Sequence, residues 1–362
     1  MISPETGNRE KHLHGRKNAA RQGFLSQMVN ARIQFEQIDE KTFADLKELV
    51  IEQAGHHSSK YAGDDKKFVE ALQRKDAVPQ ILMVRNDDTK EPLGYILFNH
   101  YHGFKGQELY IEDILVSGRE RSQGFGLAMT EELKAKGREL GIDGISWTVA
   151  ENNPAAIRFY ENKMHAHPLP FGVYDCGDLY QAAPVAQAGI TVKRVDAHDL
   201  DLVESYIGRI PGLTAEKIAH IRDAAAAENA AVYIASGDDG TPKAMGITNS
   251  NYSSFRTVYG YKFEMMELSA KDDADAASAF RALADHVVET GKATAHTGHL
   301  NIYIDKTSSA QKLFMDGLGY QPLQMTDDKA SVFLLYGIGR DNIYAPKPQN
   351  VVNKKPPEGP KQ

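Results

Sequence analysis

The chain has 362 residues, of which 41% are hydrophobic and 25% charged, with a formal net charge of −7 at neutral pH. That length suits two domains, each able to bury its own core. The acidic balance argues against a nucleic-acid binder held by phosphate contacts, no apolar run reaches the roughly 18 residues of a membrane span, and a single cysteine, Cys176, excludes a disulfide framework or a cysteine-rich zinc site.

Residues 1–30 are polar and basic without the apolar core of a signal peptide, and are expected to be a disordered extension of a cytoplasmic protein. "ARIQFEQI" alternates as a strand. "EKTFADLKELVIEQAG" reads as an amphipathic helix stopped by glycine, and "DDKKFVEALQRKD" as a second helix. "PQILMVRND" and "EPLGYILFNHYHGF" form a hairpin around "DDTKE", and "ELYIEDILV" is a third strand. In the helix "GFGLAMTEELKAKGREL", Phe125, Met129, Leu133 and Leu140 share one face and Gly141 is the stop. "GISWTV" alternates as a strand, and Asn153 caps a helix that begins at Pro154. A final strand pair is expected through "VYDCGDLYQA".

Residues 182–189, "AAPVAQAG", read as a linker, and after it the order of elements repeats. "ITVKRV" is a strand, "LTAEKIAHIRDAAAAE" a helix, and "AAVYIASGDDGTPKAMGITNS" a hairpin. "VYGYKFEMMELS" is a strand, "DADAASAFRALADHVVET" a helix, "HLNIYID" a strand and "SSAQKLFMDGLG" a helix. Ala156-x-x-Phe159-Tyr160 matches Ala310-x-x-Leu313-Phe314 at a shift of 154, and "PLGYI" has its echo in "AMGIT", so the chain is read as an internal duplication. The domains are therefore residues 31–181 and 190–338, followed by a proline- and lysine-rich tail, 339–362, expected to be disordered.

The segment "YIEDILVSGRERSQGFGLAMTEEL" places an arginine and two glycines where a strand hands over to a helix. A helix N-terminus exposes unpaired N–H groups and the positive end of its dipole, and glycines let an anion approach that backbone. Arg121 ahead of Gly124 and Gly126 adds a fixed cation, so "RSQGFG" makes sense as a pyrophosphate cradle. A plain tight turn is the competing explanation of R-x-x-G-x-G taken alone.

With the next strand and the Asn153-x-x-Ala156-x-x-Phe159-Tyr160 helix, this combination resembles the GNAT acetyltransferase superfamily. "LYIEDILV" and "AENNPAAIRFY" are most similar to the diamine (spermidine/spermine) acetyltransferases. The resemblance covers about residues 33–180 and is sharpest from Tyr110 to Tyr160. It implies an α+β fold of two consecutive GNAT domains, each a mixed, mostly antiparallel sheet flanked by helices, and acetyl-CoA as co-substrate. It also implies that Ile114, Leu115 and Val116 meet the acetyl and pantetheine portion. Arg121, Ser122, Gln123, Gly124, Phe125, Gly126 and Leu127 would wrap the pyrophosphate. Asn153 and Ala156 would line the pantetheine end, and Tyr160 would face the thioester sulfur. Ser122 and Met164 stand where glycines are usual in the family.

Acetyl transfer needs a neutral amine, and a carboxylate near the acceptor can hold the cation and drain its proton. Glu112 is the candidate base, with Asp113 expected on the opposite strand face; Glu112, Asp113 and Trp147 are taken as acceptor-binding and Tyr160 as the acid. "HHSSKY" (56–61) is expected near the acceptor. His100 and His102 share a strand face but lack a third ligand, so no metal is expected. At the 154 shift Arg121 becomes Asp275, Gly124 becomes Ser278, Gly126 becomes Phe280 and Tyr160 becomes Phe314. The second copy is thus expected to keep the fold without the chemistry. The function expected is N-acetyl transfer to a small-molecule amine, a polyamine or diamine first, by a monomer or homodimer with no nucleic-acid or membrane partner. An amino acid, aminoglycoside or protein amine is the alternative acceptor, and a CoA-sensing or scaffold protein the alternative class.

Overall fold

The computed structural model describes residues 30–345 apart from 38, 57–59, 74–78, 183–184, 186, 197–198, 200–212, 255–256, 295, 297 and 319–332. The first 29 residues, the end of the tail and part of "HHSSKY" lie outside the described residues.

Capping residues set the early helix starts. Asp39 accepts from the Thr42 N–H at 2.8 Å ahead of α1 (Glu40–His56), and Asp64 accepts from the Lys66 and Lys67 N–H groups ahead of α2 (Asp65–Gln73). The first half then runs through β1 (Ala31–Phe35), β2 (Gln80–Asn86), β3 (Pro92–Gly103), β4 (Gly106–Val116), α3 (Phe125–Leu140), β5 (Gly144–Ala150), α4 (Pro154–Asn162) and a two-residue β6 (His167–Pro168). Gly141 ends α3 at φ 73°, a left-handed conformation that a side chain would strain.

Next come β7 (Phe171–Asp175), β8 (Ile190–Val195), α5 (Ala215–Ala226), β9 (Ala230–Gly237), β10 (Pro242–Ser253) and β11 (Val258–Glu267). The chain continues through α6 (Asp273–Thr294), β12 (Leu300–Asp305), α7 (Ser309–Leu318), β13 (Phe333–Gly339) and α8 (Arg340–Ile343). The fold is α+β: a seven-stranded sheet, β1-β2-β3-β4-β5-β13-β6, and a six-stranded sheet, β7-β12-β11-β10-β9-β8, each mixed and flanked by helices. Each sheet has one parallel pair, β4 with β5 and β11 with β12.

The sheets do not follow the division of the sequence at residues 182–189. The segment "VYDCGDLYQA" does not close the first sheet with a strand pair: β7 joins the second sheet against β12, and residues 177–181 form a 3-10 turn. In return β13 enters the first sheet between β5 and β6. The chain also remains ordered past residue 339, where a free tail was expected. Ile343 of α8 is fully buried, and Lys134 and Arg138 of α3 bond to Asn342 and to the Ile343 carbonyl.

Two hairpins tie the halves together reciprocally. Phe104, in the β3–β4 turn, sits in the core of the second half with Val195, Ile221 and Met245. Tyr252 of β10 sits in a core of the first half with Leu46, Phe68 and Tyr95. Asn99 and Asn251, 152 residues apart, meet at 3.1 Å, and the Asn249 side chain bonds both the N–H and the carbonyl of His102.

Ile338 of β13 lies opposite Ile145 and is 1% exposed in the core that holds Trp147. Ile338→Ala should cost about 2–4 kcal/mol through lost transfer energy and a cavity. Urea unfolding of the full chain followed by Trp147 emission checks this, because the indole reports on the first sheet; an unshifted Trp147 transition would show that β13 does not support it.

Candidate active site

The site begins with a fault in a strand. Opposite β3, Asp113 faces Leu97 and Ile111 faces Phe98, so Glu112 is an extra residue, a bulge in β4. The parallel ladder between β4 and β5 runs only from Glu108–Gly144 to Ile111–Trp147 and stops there. Beyond it, Ile114 to Val116 diverge from β5 and leave a wedge between the strands.

The N-terminus of α3 stands at the open end of this wedge. Gly124 is its N-cap at φ 92°, with no side-chain cap and no acidic residue in the first turn, so the Phe125, Gly126 and Leu127 N–H groups begin the helix facing an anion-ready space. Ser122 takes a positive φ of 66°, the conformation that favours glycine. A Cβ on Gly126 would stand 3.1 Å from the Phe159 ring, which fixes how closely α4 packs on the start of α3. Gln123 bonds Glu120 at 2.6 Å. Arg121 folds back: its Nε donates to the Val116 carbonyl at 3.1 Å, and its guanidinium meets His56 Nε2 at 2.5 Å, with Glu52 at 3.8 Å. Glu52 also accepts from the Gly118 N–H at 2.9 Å, so α1 fastens this loop through two residues, of which sequence reasoning noted only His56, and for another role.

On the far side of the wedge, Asn153 caps α4 by accepting from the Ala156 N–H at 3.2 Å. Tyr160 is 8% exposed and packs edge-on to Trp147 at 4.9 Å. Burial alone pushes its hydroxyl above the usual phenol value. Trp147 is 2% exposed and its Nε1 has no hydrogen-bond partner among the described residues, so it serves as the core wall behind Tyr160. Leu115 turns into the core against α1 and α2, while Ile114, Val116, Phe125 and Ala156 pack on the α3–α4 side.

The carboxylates depart from strict alternation because of the bulge, and both meet residues of the second half. Ser254 Oγ donates to Asp113 Oδ2 at 2.5 Å, and Asn251 bonds Glu112. Burial raises Glu112 well above the usual carboxylate range, Asp113 adds to the rise, and the Asn251 hydrogen bond opposes it. Burial pushes Asp113 up to about 6, with Ser254 pulling the other way. Among the described residues no cation lies within ion-pair distance of either. Nearby Lys262 is committed to Glu108 and Glu264 and sits over the Tyr101 and Tyr303 rings, at 4.7 and 4.5 Å. Asn251 and Ser254 carry no local sequence signal for these contacts, which arise only where the β10–β11 hairpin meets the first half.

The corresponding region of the second half differs. Eight residues, 117–124, join β4 to α3, whereas five, 268–272, join β11 to α6. A uniform shift of 154 therefore fails here: Asp275, Ser278 and Phe280 lie inside α6, not in a loop. Carboxylates occupy that helix start, with Asp272 accepting from the Asp275 N–H and Asp275 accepting from the Lys271 N–H and pairing with Lys243 at 2.5 Å. Gln311, 4% exposed, donates to the Met265 carbonyl on β11 and accepts from the Asp305 N–H, which plugs the gap between β11 and β12. Phe314 is core. Among the described residues there is no group of three His, Cys, Asp or Glu able to hold a metal, and no helix long and apolar enough to cross a membrane.

Residues 43–166 match the acetyltransferase (GNAT) family. No curated protein matches the chain. Among solved structures it is similar to a tandem GNAT protein from the clavulanic acid biosynthesis pathway, at 12% identity and TM-score 0.48 over 85% of this chain and 98% of that one. It is also similar to a GCN5-related N-acetyltransferase from Sphaerobacter thermophilus, at 14% identity and TM-score 0.48 over 85% and 95%. N-myristoyltransferase of Saccharomyces cerevisiae with bound myristoyl-CoA is similar at 15% identity and TM-score 0.42 over 85% and 79%.

Asp113 allows a test of this electrostatic arrangement. Its carboxyl is raised in the fold to about 6, so the folded chain holds a proton that the unfolded chain releases near pH 4. Its contribution to stability is therefore greatest below about pH 4 and is lost as pH rises through about 6, some 3 kcal/mol in all. In urea denaturation, the stability of Asp113→Asn relative to wild type should improve by about 1.5 kcal/mol between pH 5 and pH 8. A constant difference would show that Asp113 titrates normally.

Proposed function

We propose, taking residues 43–166 as a GNAT-family acetyltransferase segment, that the first half moves an acetyl group from acetyl-CoA to the nitrogen of a primary amine, a polyamine or diamine first. The observation that supports this reading is three features side by side. They are the uncapped N-terminus of α3, the wedge where the β4–β5 ladder stops after Ile111–Trp147, and the adjacent carboxyls of half-buried Glu112 and buried Asp113, which among the described residues have no cation within ion-pair distance. Such a pair suits a guest that brings its own positive charge.

The residues fit the co-substrate. Gly124 gives the backbone an open approach, the first N–H groups of α3 can hold phosphate oxygens, and Arg121 can leave His56 for the same anion. Acetyl-CoA supplies the activated acyl carbon and a thiolate leaving group. An ammonium of pKa about 10.4 is neutral roughly once in a thousand near pH 7.4, so exposing its lone pair costs about 4 kcal/mol. Glu112 holds the ammonium and takes its proton, with Asp113 adding to the negative field. Tyr160 stays protonated throughout the working range, because burial raises it, and donates a hydrogen bond to the departing sulfur. The nitrogen–carbon bond forms as the carbon–sulfur bond breaks, and the amine proton leaves through Glu112. The second half binds no cofactor on this reading. Its support is the carboxylate-capped start of α6 and the Gln311 plug. Residues 31–181 and 190–338 then divide into an active and a degenerate domain that exchange strands.

An amine panel with acetyl-CoA and thiol-release detection tests the reaction. With the best acceptor, Tyr160→Phe should lower kcat by about 10²-fold or more while changing acetyl-CoA affinity only a few-fold; an unchanged kcat when chemistry limits turnover removes Tyr160 from the mechanism.

The cradle has its own check. Arg121→Ala with Gly126→Asp should raise KM for acetyl-CoA far more than KM for the amine. Equilibrium dialysis of the wild type should count one CoA per chain, with a change in Trp147 emission that the double variant abolishes. A second site surviving those substitutions would place cofactor in the second half.

A further inference from the structure

We propose that the β10–β11 hairpin of the second half forms one wall of the amine-acceptor site of the first half, with Asn251 and Ser254 as positioning residues for Glu112 and Asp113. The inference rests on the proposed acetyl transfer and gives a task to the half whose own cradle is closed.

The hairpin is seated in the first half rather than laid against it. Tyr252 packs on Phe68 of α2 at 5.6 Å and is 1% exposed. Thr257 Oγ1 accepts from the Asp64 N–H at 2.7 Å, and a Cβ on Gly63 would collide with the Thr257 side chain. The hairpin end is thus held between the α1–α2 connection and β4. From that position it presents one donor to each carboxyl. Ser254 Oγ reaches Asp113 at 2.5 Å, and both residues are under 5% exposed. Asn251 Oδ1 already accepts from Asn99 Nδ2 at 3.1 Å and from the Tyr252 N–H at 2.8 Å, which leaves the Asn251 amide hydrogens to donate to Glu112.

Both donors are needed for a physical reason. Two adjacent carboxyls in a buried setting favour their neutral forms, and a neutral acid neither attracts an ammonium nor accepts its proton. Among the described residues the other ionisable groups around the pair do not supply the missing stabilisation. Tyr95 and Tyr101 from β3 and Tyr110 from β4 are raised by burial, and the carboxyls add to that rise. Glu52 of α1 is a like charge, and Lys262 of β11 is bound to Glu108 and Glu264. The donors from the β10–β11 hairpin are what hold the carboxyls ready to ionise when the cation arrives.

The test uses the full chain, with Ser254→Ala, Asn251→Ala, Ser254→Thr and Glu112→Gln. Carboxyl ¹³C titration is followed with Glu112→Gln and Asp113→Asn for assignment, and kcat/KM for spermidine is measured against pH. Removing a hydrogen bond to the charged form should raise the titration of Asp113 in Ser254→Ala, and of Glu112 in Asn251→Ala, by about one unit. The acidic limb of kcat/KM should move up in parallel, acetyl-CoA affinity read from Trp147 emission should stay within about two-fold, and Ser254→Thr should restore the wild-type limb. Titrations or rate limbs that stay in place while melting temperature falls would overturn the proposal and leave the hairpin a structural prop. If Glu112→Gln keeps the wild-type rate and limb, the transfer reading itself fails instead; shifted titrations with unshifted limbs sink only the acceptor wall.

Discussion

The parallel ladder between β4 and β5 stops after Ile111–Trp147, where β4 takes in one extra residue at Glu112. Four ladder positions hold the strands together, and past them backbone polar groups face a wedge rather than a neighbour. A sheet tolerates such a loss only where something else can satisfy those groups, whether solvent or a guest. The wedge lies between the glycine-bounded start of α3 and the capped start of α4, and it ends at the bulged carboxyl itself. Bulge, wedge and helix N-terminus therefore meet at one place in the fold.

That weakened seam is supported from outside the first half. On one flank β13 restores the hydrogen bonding of β5 along its full length, from Phe333–Ala150 to Gly339–Gly144. On the opposite face of the sheet, Tyr252 enters the core beside α1 and α2 while Phe104 enters the second half. Strand exchange and hairpin exchange make the two halves a single unit whose parts share cores. The Asn99–Asn251 contact, the Asn249 clamp on His102 and the buried Lys262 all sit on the surface between them.

The second half shows how small changes close the same wedge. Its ladder between β11 and β12 also has four positions, yet three fewer loop residues draw α6 forward, and its first turn is capped by aspartates instead of being left open. Gln311 supplies the hydrogen bonds that the divergent strands would otherwise offer to a guest. An internal side chain satisfies the geometry at no entropic cost of association, so the gap is permanently filled.

Most elements of both halves, though not β6, β13 or α8, were legible in the sequence because local rules govern them: alternation for the strands, glycine for the stop of α3, Asn153 with Pro154 for the start of α4. The open N-terminus of α3 and the loop around Gly124 were legible for the same reason, since the backbone needs of a helix start are written in neighbouring residues. Partnering was not. A two-residue period states which side of β7 or β13 is apolar but not which sheet receives it, and both halves offer equivalent edges. The uniform shift of 154 misplaced Asp275, because helix length depends on capping as well as on spacing. The bulge at Glu112 was hidden as well, since an extra residue is defined only against a partner strand. Sequence determined which segments form, and where a helix offers its N–H groups. Tertiary structure decided which strands pair and that Glu112 and Asp113 meet Asn251 and Ser254 of the β10–β11 hairpin, because those facts depend on contacts between residues about 140 positions apart.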